Sequence, residues 1–428
     1  MNHGRIPGEG TGGQTVNESP DAPAVPPARR PWVTRTVLAI IVATFFSDVS
    51  HEMATAVLPM YLASVSLGPA ALGLIEGVAD FLVSMAKLAG GVAGHHLRRK
   101  RPLTSLAYLV TTLATSGMAF ARGLLGVLTL RSAAWAARGF RSPLRDYLLA
   151  DAVAPAFYGR AYGLERAGDM LGAVAGPLLA VLLLWAGLEF RAVILWTAVP
   201  GLLAAAAMFF FTRERSTAPH DVAENETPSD ATRPAFPRAF WVFLVGVFLF
   251  GLGDFSQTFL IWLAATAVGE EGSMAAGTVS VAVLLYTVHN LVSAAVAFPV
   301  GHWGDRRARL PVLVVGYGIG FGTNLLLAFA GGSLPWLAAA IILSGVYIAI
   351  QETLEKAVAA ERLPRELRSL GFGILACASA VGDMASSLYV GYFLQAGQFM
   401  AAFGVPAALG AAGFLWMLRF SLKTRRAA

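Results

Sequence analysis

Asp48 lies inside an otherwise apolar run, VLAIIVATFFSDVSHEMATAVLPMYLA, with His51 and Glu52 three and four positions after it. On a helix that spacing puts all three on one face, where carboxyls and an imidazole can pass or share protons. A charge held among apolar residues is costly, so each such residue is a candidate for proton chemistry or polar-ligand binding. Asp254 takes the matching place in LGDFSQT, where Gln257 and Thr258 replace His51 and Glu52. This points to a proton site in the first run and neutral hydrogen-bonding groups in the second. A helix-bending or capping role for Asp48 and Asp254 is the alternative. Glu76 and Asp80, again four apart, are placed to hold one proton between them; Glu76 could instead stand at the outer mouth of a cavity. His289 and Asn290 occupy the corresponding part of a later run, as polar lining or as packing. Arg131 is a buried-arginine candidate, able to help a carboxylate release its proton or to pair with one structurally. Gln351 and Glu352 are candidates for the same lining.

Other chemistry lacks its residues. Near Asp48, His51 and Glu52 there is no second histidine at metal-ligand spacing, and H-E-x-x-H, G-x-S-x-G and G-x-x-x-x-G-K-[ST] are absent. One cysteine, Cys377, allows no disulfide framework. No metal, cofactor, enzymatic activity or nucleotide-driven pumping is expected.

The elements that must position these residues are membrane spans. Of 428 residues, 56% are apolar and 14% charged, and the mean hydropathy is +0.62; a soluble chain carries roughly a quarter charged residues. Apolar segments run over 35–62, 69–92, 103–121, 123–140, 160–186, 189–211, 239–264, 277–300, 311–330, 335–358, 368–394 and 398–420, most near the length a bilayer requires. Residues 1–34 read as a disordered cytoplasmic tail without a signal peptide, 212–238 as a cytoplasmic linker, and 421–428 as a basic cytoplasmic tail. Lys and Arg concentrate on one side of the spans: Arg29, Arg30 and Arg35, the run 98–101, Arg138, Arg141, Arg145 and Arg160, Arg213 and Arg215, Arg306, Arg307 and Arg309, Arg362, Arg365 and Arg368, and Lys423, Arg425 and Arg426. Only Arg122 and Arg191 fall on the other. This asymmetry puts both termini in the cytoplasm and accounts for the net +6 charge without nucleic acid. Lys87 is expected to snorkel to lipid headgroups.

The chain also repeats itself at an offset of about 206 to 210 residues. FSDVS returns as LGDFS, and GGVAGHHLRRKRP as VGHWGDRRARLP, aligning Gly91 with Gly301. LRDYLLADAVAP returns as LEKAVAAERLP, with Arg145 and Asp146 opposite Glu355 and Lys356 in swapped charge order. Two six-span halves, 35–211 and 239–420, would enclose a cavity at their interface and give alternating access by rocking.

In these features the chain resembles a twelve-span member of the major facilitator superfamily. Gly301, Asp305, Arg306 and Arg309 fit the superfamily's G-x-x-x-D-R-x-x-R loop signature; the first-half copy departs from it, with His95 and His96 after Gly91. The R-D-x-L-x-A-D fourth loop, Arg145 to Asp151, is similar to a prokaryotic branch. Gly163, Gly172, Gly176 and Pro177 resemble the proton-antiporter signature of the fifth span, although Ala180 replaces a final Gly, and ordinary close packing is the alternative. The resemblance implies an all-α integral membrane protein of twelve helices in two pseudo-symmetric halves. It also implies a monomeric secondary transporter of the cytoplasmic membrane, surrounded by lipid and carrying a small organic solute. Efflux by proton antiport is the leading expectation and uptake by proton symport the alternative. Asp305 and Arg306 should reach the cytoplasmic ends of spans four and five, near Arg145, Asp146, Glu165 and Asp169, and latch the outward-facing state. Glu165, Arg166 and Asp169 would form a gate or an interdomain ion-pair network, and Glu355 and Lys356 would pair locally or with the second-half loop. His95 and His96 would tune the gate or be solvated.

Overall fold

A computed structural model describes residues 32–65, 67, 69–97, 99–214, 235–255, 259, 260, 263, 281–330 and 333–427. The expected tail and linker lie largely outside them, as do Gln257 and the side chains of Glu76 and Asp80.

All regular structure among the described residues is helical: α1 (Arg35–Ser64), α2 (Pro69–His96), α3 (Arg101–Gly117), α4 (Leu124–Ala152), α5 (Tyr158–Trp185), α6 (Phe190–Trp196), α7 (Ala198–Ala206), α8 (Arg238–Gly251), α9 (Val281–Arg307), α10 (Arg309–Ala330), α11 (Leu334–Arg362), α12 (Arg368–Gln395) and α13 (Phe399–Ala427), with short 3-10 turns between some of them. Helices dominate because a backbone in hydrocarbon must satisfy its own polar groups. Nine stretches among the described residues, from Arg35–Leu62 to Phe399–Arg426, are long and apolar enough to cross a membrane. In α2 and α4 the interior charges, including Lys87, Arg131, Arg138 and Arg141, dilute the hydropathy. The solvation pattern is inverted relative to a soluble protein: Leu125, Trp185 and Phe329 are each 75% exposed, whereas Arg131 and Glu165 are 1% exposed. Apolar surface of that kind suits lipid.

The sequence repeat reappears in the packing. Before residue 212, α1 packs on α5, α2 on α4, and α3 on α4 and α7; after residue 238, α8 packs on α12, α9 on α11, and α10 on α11 and α13. Helices from the two sets meet where α5 lies against α9 and α11, and where α2 lies against α12.

Several boundaries differ from expectation. The fourth and tenth segments do not stop at 140 and 358; α4 continues to Ala152 and α11 to Arg362. Their arginines and acids find partners inside the protein, so charge does not end the helix. The sixth segment is interrupted at Thr197 between α6 and α7, and the Thr197 carbonyl accepts both from Gly201 N–H at 3.1 Å and from the Ser50 hydroxyl of α1 at 2.8 Å. The seventh stops at Gly251, so Asp254 stands beyond a helix end rather than in mid-helix.

Candidate functional site

Asp48, 3% exposed, projects from α1 towards α4 and α5. Arg138 Nη1 of α4 lies 2.5 Å from its carboxylate, and the Asp169 carboxyl of α5 is within hydrogen-bonding reach. Arg166, one helical turn before Asp169, pairs with it at 2.7 Å and simultaneously with Glu352 of α11 at 2.8 Å. Five charged residues, Arg138, Asp48, Asp169, Arg166 and Glu352, thus form a chain from α4 through α1 and α5 to the opposite half of the sequence. A neighbouring layer is supplied by Arg141, which donates to Ser47 Oγ at 2.6 Å and stacks 3.7 Å above the Tyr108 ring. Close approach of α1 and α5 permits this arrangement. A Cβ on Gly172 would come within 2.6 Å of the Phe45 carbonyl oxygen and 2.9 Å of Asp48 Cβ, and one on Gly176 within 2.8 Å of Glu52 Cβ. The glycines of the fifth-span motif therefore have a packing role, bringing α5 against the site.

The expected Asp48, His51 and Glu52 relay is only partly assembled. His51 presents its ring edge-on to Trp135 at 4.6 Å, and the charges that surround it are Arg131, Arg138 and Arg141. Arg131 donates to Thr55 at 3.1 Å and lies over Trp135. Glu52 interacts with other groups, and its charge is felt at Asp48.

The second-half counterpart is built differently. Past the end of α8, the carbonyls of Leu252, Gly253 and Asp254 accept from Tyr389 at 2.6 Å, Asn324 at 2.8 Å and Ser386 at 2.5 Å. These side chains replace the missing helical bonds, the requirement for a broken helix away from water. Asp254 Oδ1 accepts from Tyr347 at 2.7 Å, and the Gln351 amide also reaches its carboxylate. His289 does not point at this group: its Nδ1 lies 3.3 Å from the Ile341 carbonyl, while Asn290 bonds Tyr286. Nε2 of His289 and Nδ2 of Asn290 are buried without a hydrogen-bond partner. Glu355 is not paired with Lys356; it accepts from Tyr317 at 2.6 Å.

Asp305 makes contacts between the two sets of helices, but with other partners than expected. Asp305 accepts from the backbone N–H groups of Gly159 at 2.8 Å and Arg160 at 3.0 Å, capping the N-terminus of α5, and also pairs with Arg309 at 2.9 Å. Arg309 binds Glu361 at 3.0 Å and donates to the Pro155 carbonyl. Gly159 and Gly301 face each other so closely that a Cβ on either would overlap the other's carbonyl oxygen. Arg306 is exposed, and its expected role falls to Arg309. Arg145, Asp146 and Glu165 are not Asp305 partners. Arg145 holds Asp146 at 3.0 Å and Glu165 at 2.9 Å, with Lys356 of α11 at 3.9 and 3.8 Å from the same two acids. Asp169, expected with this group, belongs to the Asp48 site. Arg365 adds a bond to Asp151 at 2.7 Å. Around Gly91 of α2, His95 meets the Glu366 carbonyl at 3.0 Å.

Sequence reasoning missed Arg138, Arg160, Arg365, Tyr317, Tyr347 and Asp383. For Arg138 a signal was present: Arg131, Arg138 and Arg145 recur every seven residues, which aligns them along one face of α4. Lys87 is half-buried on α2 where that helix meets α12, its carbonyl 3.1 Å from where a Cβ on Gly373 would sit, and Asp383 and Glu352 are among the acids whose charge acts on it.

An all-helical bundle with buried ion pairs and lipid-suited flanks defines a polytopic membrane protein of the transporter class. The Major Facilitator Superfamily profile matches residues 40–288 and 256–428, and the chain belongs to that superfamily. It is 25% identical over 372 residues to an uncharacterised MFS-type transporter of Methanocaldococcus jannaschii, covering 84% of this chain and 88% of that protein. Among solved structures, the E. coli fucose:proton symporter FucP superposes with a TM-score of 0.69 at 15% identity, covering 90% of this chain and 98% of that one. A bacterial homologue of the iron transporter ferroportin, in an outward-facing state, also gives 0.69 at 15% identity, covering 91% and 100%. At these identities the two structures speak for the fold.

Proposed function

We propose that this chain is a proton-coupled secondary transporter of the cytoplasmic membrane, with twelve spans and both termini in the cytoplasm, moving a small organic solute outward in exchange for protons. The observation that carries this reading is the Asp48 and Asp169 carboxyl pair, held by Arg138 and Arg166, the latter shared with Glu352 across the two halves. Two carboxyls hydrogen-bond to each other only when one is protonated. Loss of that proton leaves two carboxylates competing for Arg138 and Arg166, drawing Arg166 towards Asp169 and away from Glu352. Protonation thereby weights an inter-half contact, which is what coupling by alternating access requires.

The latch residues act at the other level of the bundle. With the arginine-rich loops in the cytoplasm, the bonds from Asp305, Lys356, Arg365 and His95 close that side, and the state described is the one sealed from the cytoplasm. Solute and protons would then meet in a cavity lined by Asp48, Glu52 and Asp254.

The test uses proteoliposomes with an imposed pH gradient and an internal pH dye, while a panel of organic solutes is added. Antiport makes solute movement and proton movement opposite in sign, and both should vanish in Asp48→Asn. Parallel movement would assign symport, and flux indifferent to the gradient would reject proton coupling.

A further inference from the structure

Beyond proton coupling, the second half holds two buried acceptor atoms without donors, beside the Asp254 carboxylate, which Tyr347 and Gln351 satisfy in part. Gln351 is 6% exposed. Its amide reaches the carboxylates of Asp254 and Glu355, which orients its –NH2 towards them and its oxygen away. That Oε1 atom is buried without a hydrogen-bond partner, and so is Oδ1 of Asp383 on α12. Asp383 is tied to the same place: its carboxylate flanks Gly251 at the end of α8, and Ser386, one turn on, donates to both the Asp254 and the Asp383 carbonyls. The C-terminal end of α8 adds the negative pole of a helix.

The positive charge acting on Asp383 comes from the other half, from Lys87 of α2. Lys356, the lysine of α11, is turned towards Asp146 and Glu165 instead. Gln351 Oε1 and Asp383 Oδ1, the two acceptor atoms left without donors, together with the remaining capacity of the Asp254 carboxylate, suit a ligand that is cationic and rich in N–H groups. An ammonium offers three donors and a guanidinium five. A metal ion fits less well: no group of three or more His, Cys, Asp or Glu among the described residues has the arrangement to hold one.

We infer that Asp254, Gln351 and Asp383 form the recognition site for the positive end of the transported solute, an organic primary ammonium or guanidinium ion, with Lys87 as the tethered cation it displaces. This rests on the transporter reading above. A cation entering from the open side replaces Lys87 opposite Asp383, which frees α2 from α12 and links solute binding to movement of the halves.

Thermal unfolding of the purified full-length chain in detergent tests this without any gradient, since a bound ligand raises the midpoint. The probes are benzylguanidinium, phenethylammonium, phenethyltrimethylammonium, phenylacetate and manganese chloride. The first two should protect saturably, and the trimethyl ion, equally charged but lacking N–H donors, should need at least ~10-fold more. The phenylacetate anion should not protect. Gln351→Met should weaken protection by phenethylammonium ~10-fold, and Lys87→Met should strengthen it several-fold, a gain that misfolding cannot produce. Equal protection by the trimethyl ion, stronger protection by phenylacetate or manganese, or no protection by any probe would overturn the assignment. If a pH gradient still drives flux of some other solute, the transport reading stands while this one falls.

Discussion

Replacing Asp305 with alanine should open the arginine-rich end of the bundle. Asp305 is fully buried as a side chain and bonded to both sets of helices. Its pairing with Arg309, four residues on, stays within the second half and survives opening, so it cancels between the two states. What is lost on opening is the cross-half part: the bonds from Gly159 N–H at 2.8 Å and Arg160 N–H at 3.0 Å, and the longer contact with Arg160 Nε at 3.4 Å. Bonds to a charged acceptor contribute a net ~1.5–3 kcal/mol each, exchange with water included. The two backbone bonds together give about 3–6 kcal/mol of preference for the closed state, a factor of roughly 10² to 10⁴ in the closed-to-open ratio. The assay is a distance distribution between spin labels at Arg99→Cys after α2 and Leu422→Cys on α13, both exposed positions, in a Cys377→Ala background. The unsubstituted latch should give a dominant short distance, and Asp305→Ala should move much of the population to a longer one. An unchanged distribution would refute the argument that this carboxylate holds the halves together.

Other substitutions probe the remaining contacts. Arg138→Met leaves Asp48 buried without its nearest cation, which should cost about 3–5 kcal/mol, read as a lower unfolding midpoint; adding Asp48→Asn should recover much of it, a non-additivity expected of direct partners. Gly172→Leu forces a side chain against the Phe45 carbonyl and should destabilise by about 3 kcal/mol, visible as loss of monodisperse protein on size-exclusion chromatography. Ala308, between α9 and α10, has φ = 101°, a conformation that suits glycine. Ala308→Gly should therefore stabilise by about 1 kcal/mol and raise the unfolding midpoint.

The fold was legible in the sequence because lipid imposes long apolar runs and because the two halves repeat. The inward placement of Asp48 on α1 and of Glu165 and Arg166 on α5 followed from charge placed where charge is expensive, whereas the cap by Asp305 did not, because the loop signature pointed it at Arg145, Asp146, Glu165 and Asp169. What escaped depends on partners in other helices. Arg138 was counted with the basic residues that mark the cytoplasmic end of the fourth span, although its seven-residue spacing from Arg131 marked it as facing inward. Asp169 read as part of the gate because its distance along α5 from Asp48 is invisible without the α1 and α5 crossing. The break after Gly251 is disguised by an apolar run that continues past it, and only the three side chains that satisfy its carbonyls reveal why the chain tolerates it. His289 offered two options to sequence reasoning; its Nδ1 meets the Ile341 carbonyl, a partner on a neighbouring helix that the sequence does not reveal.

The central claim is that Asp48 and Asp169 hold a proton between them. Infrared spectroscopy of the purified protein near neutral pH reads this directly, through the C=O stretch of a protonated carboxyl and its shift in heavy water. The account predicts a protonated-carboxyl band in the native chain that disappears in both Asp48→Asn and Asp169→Asn. A band of undiminished intensity in both variants would contradict it.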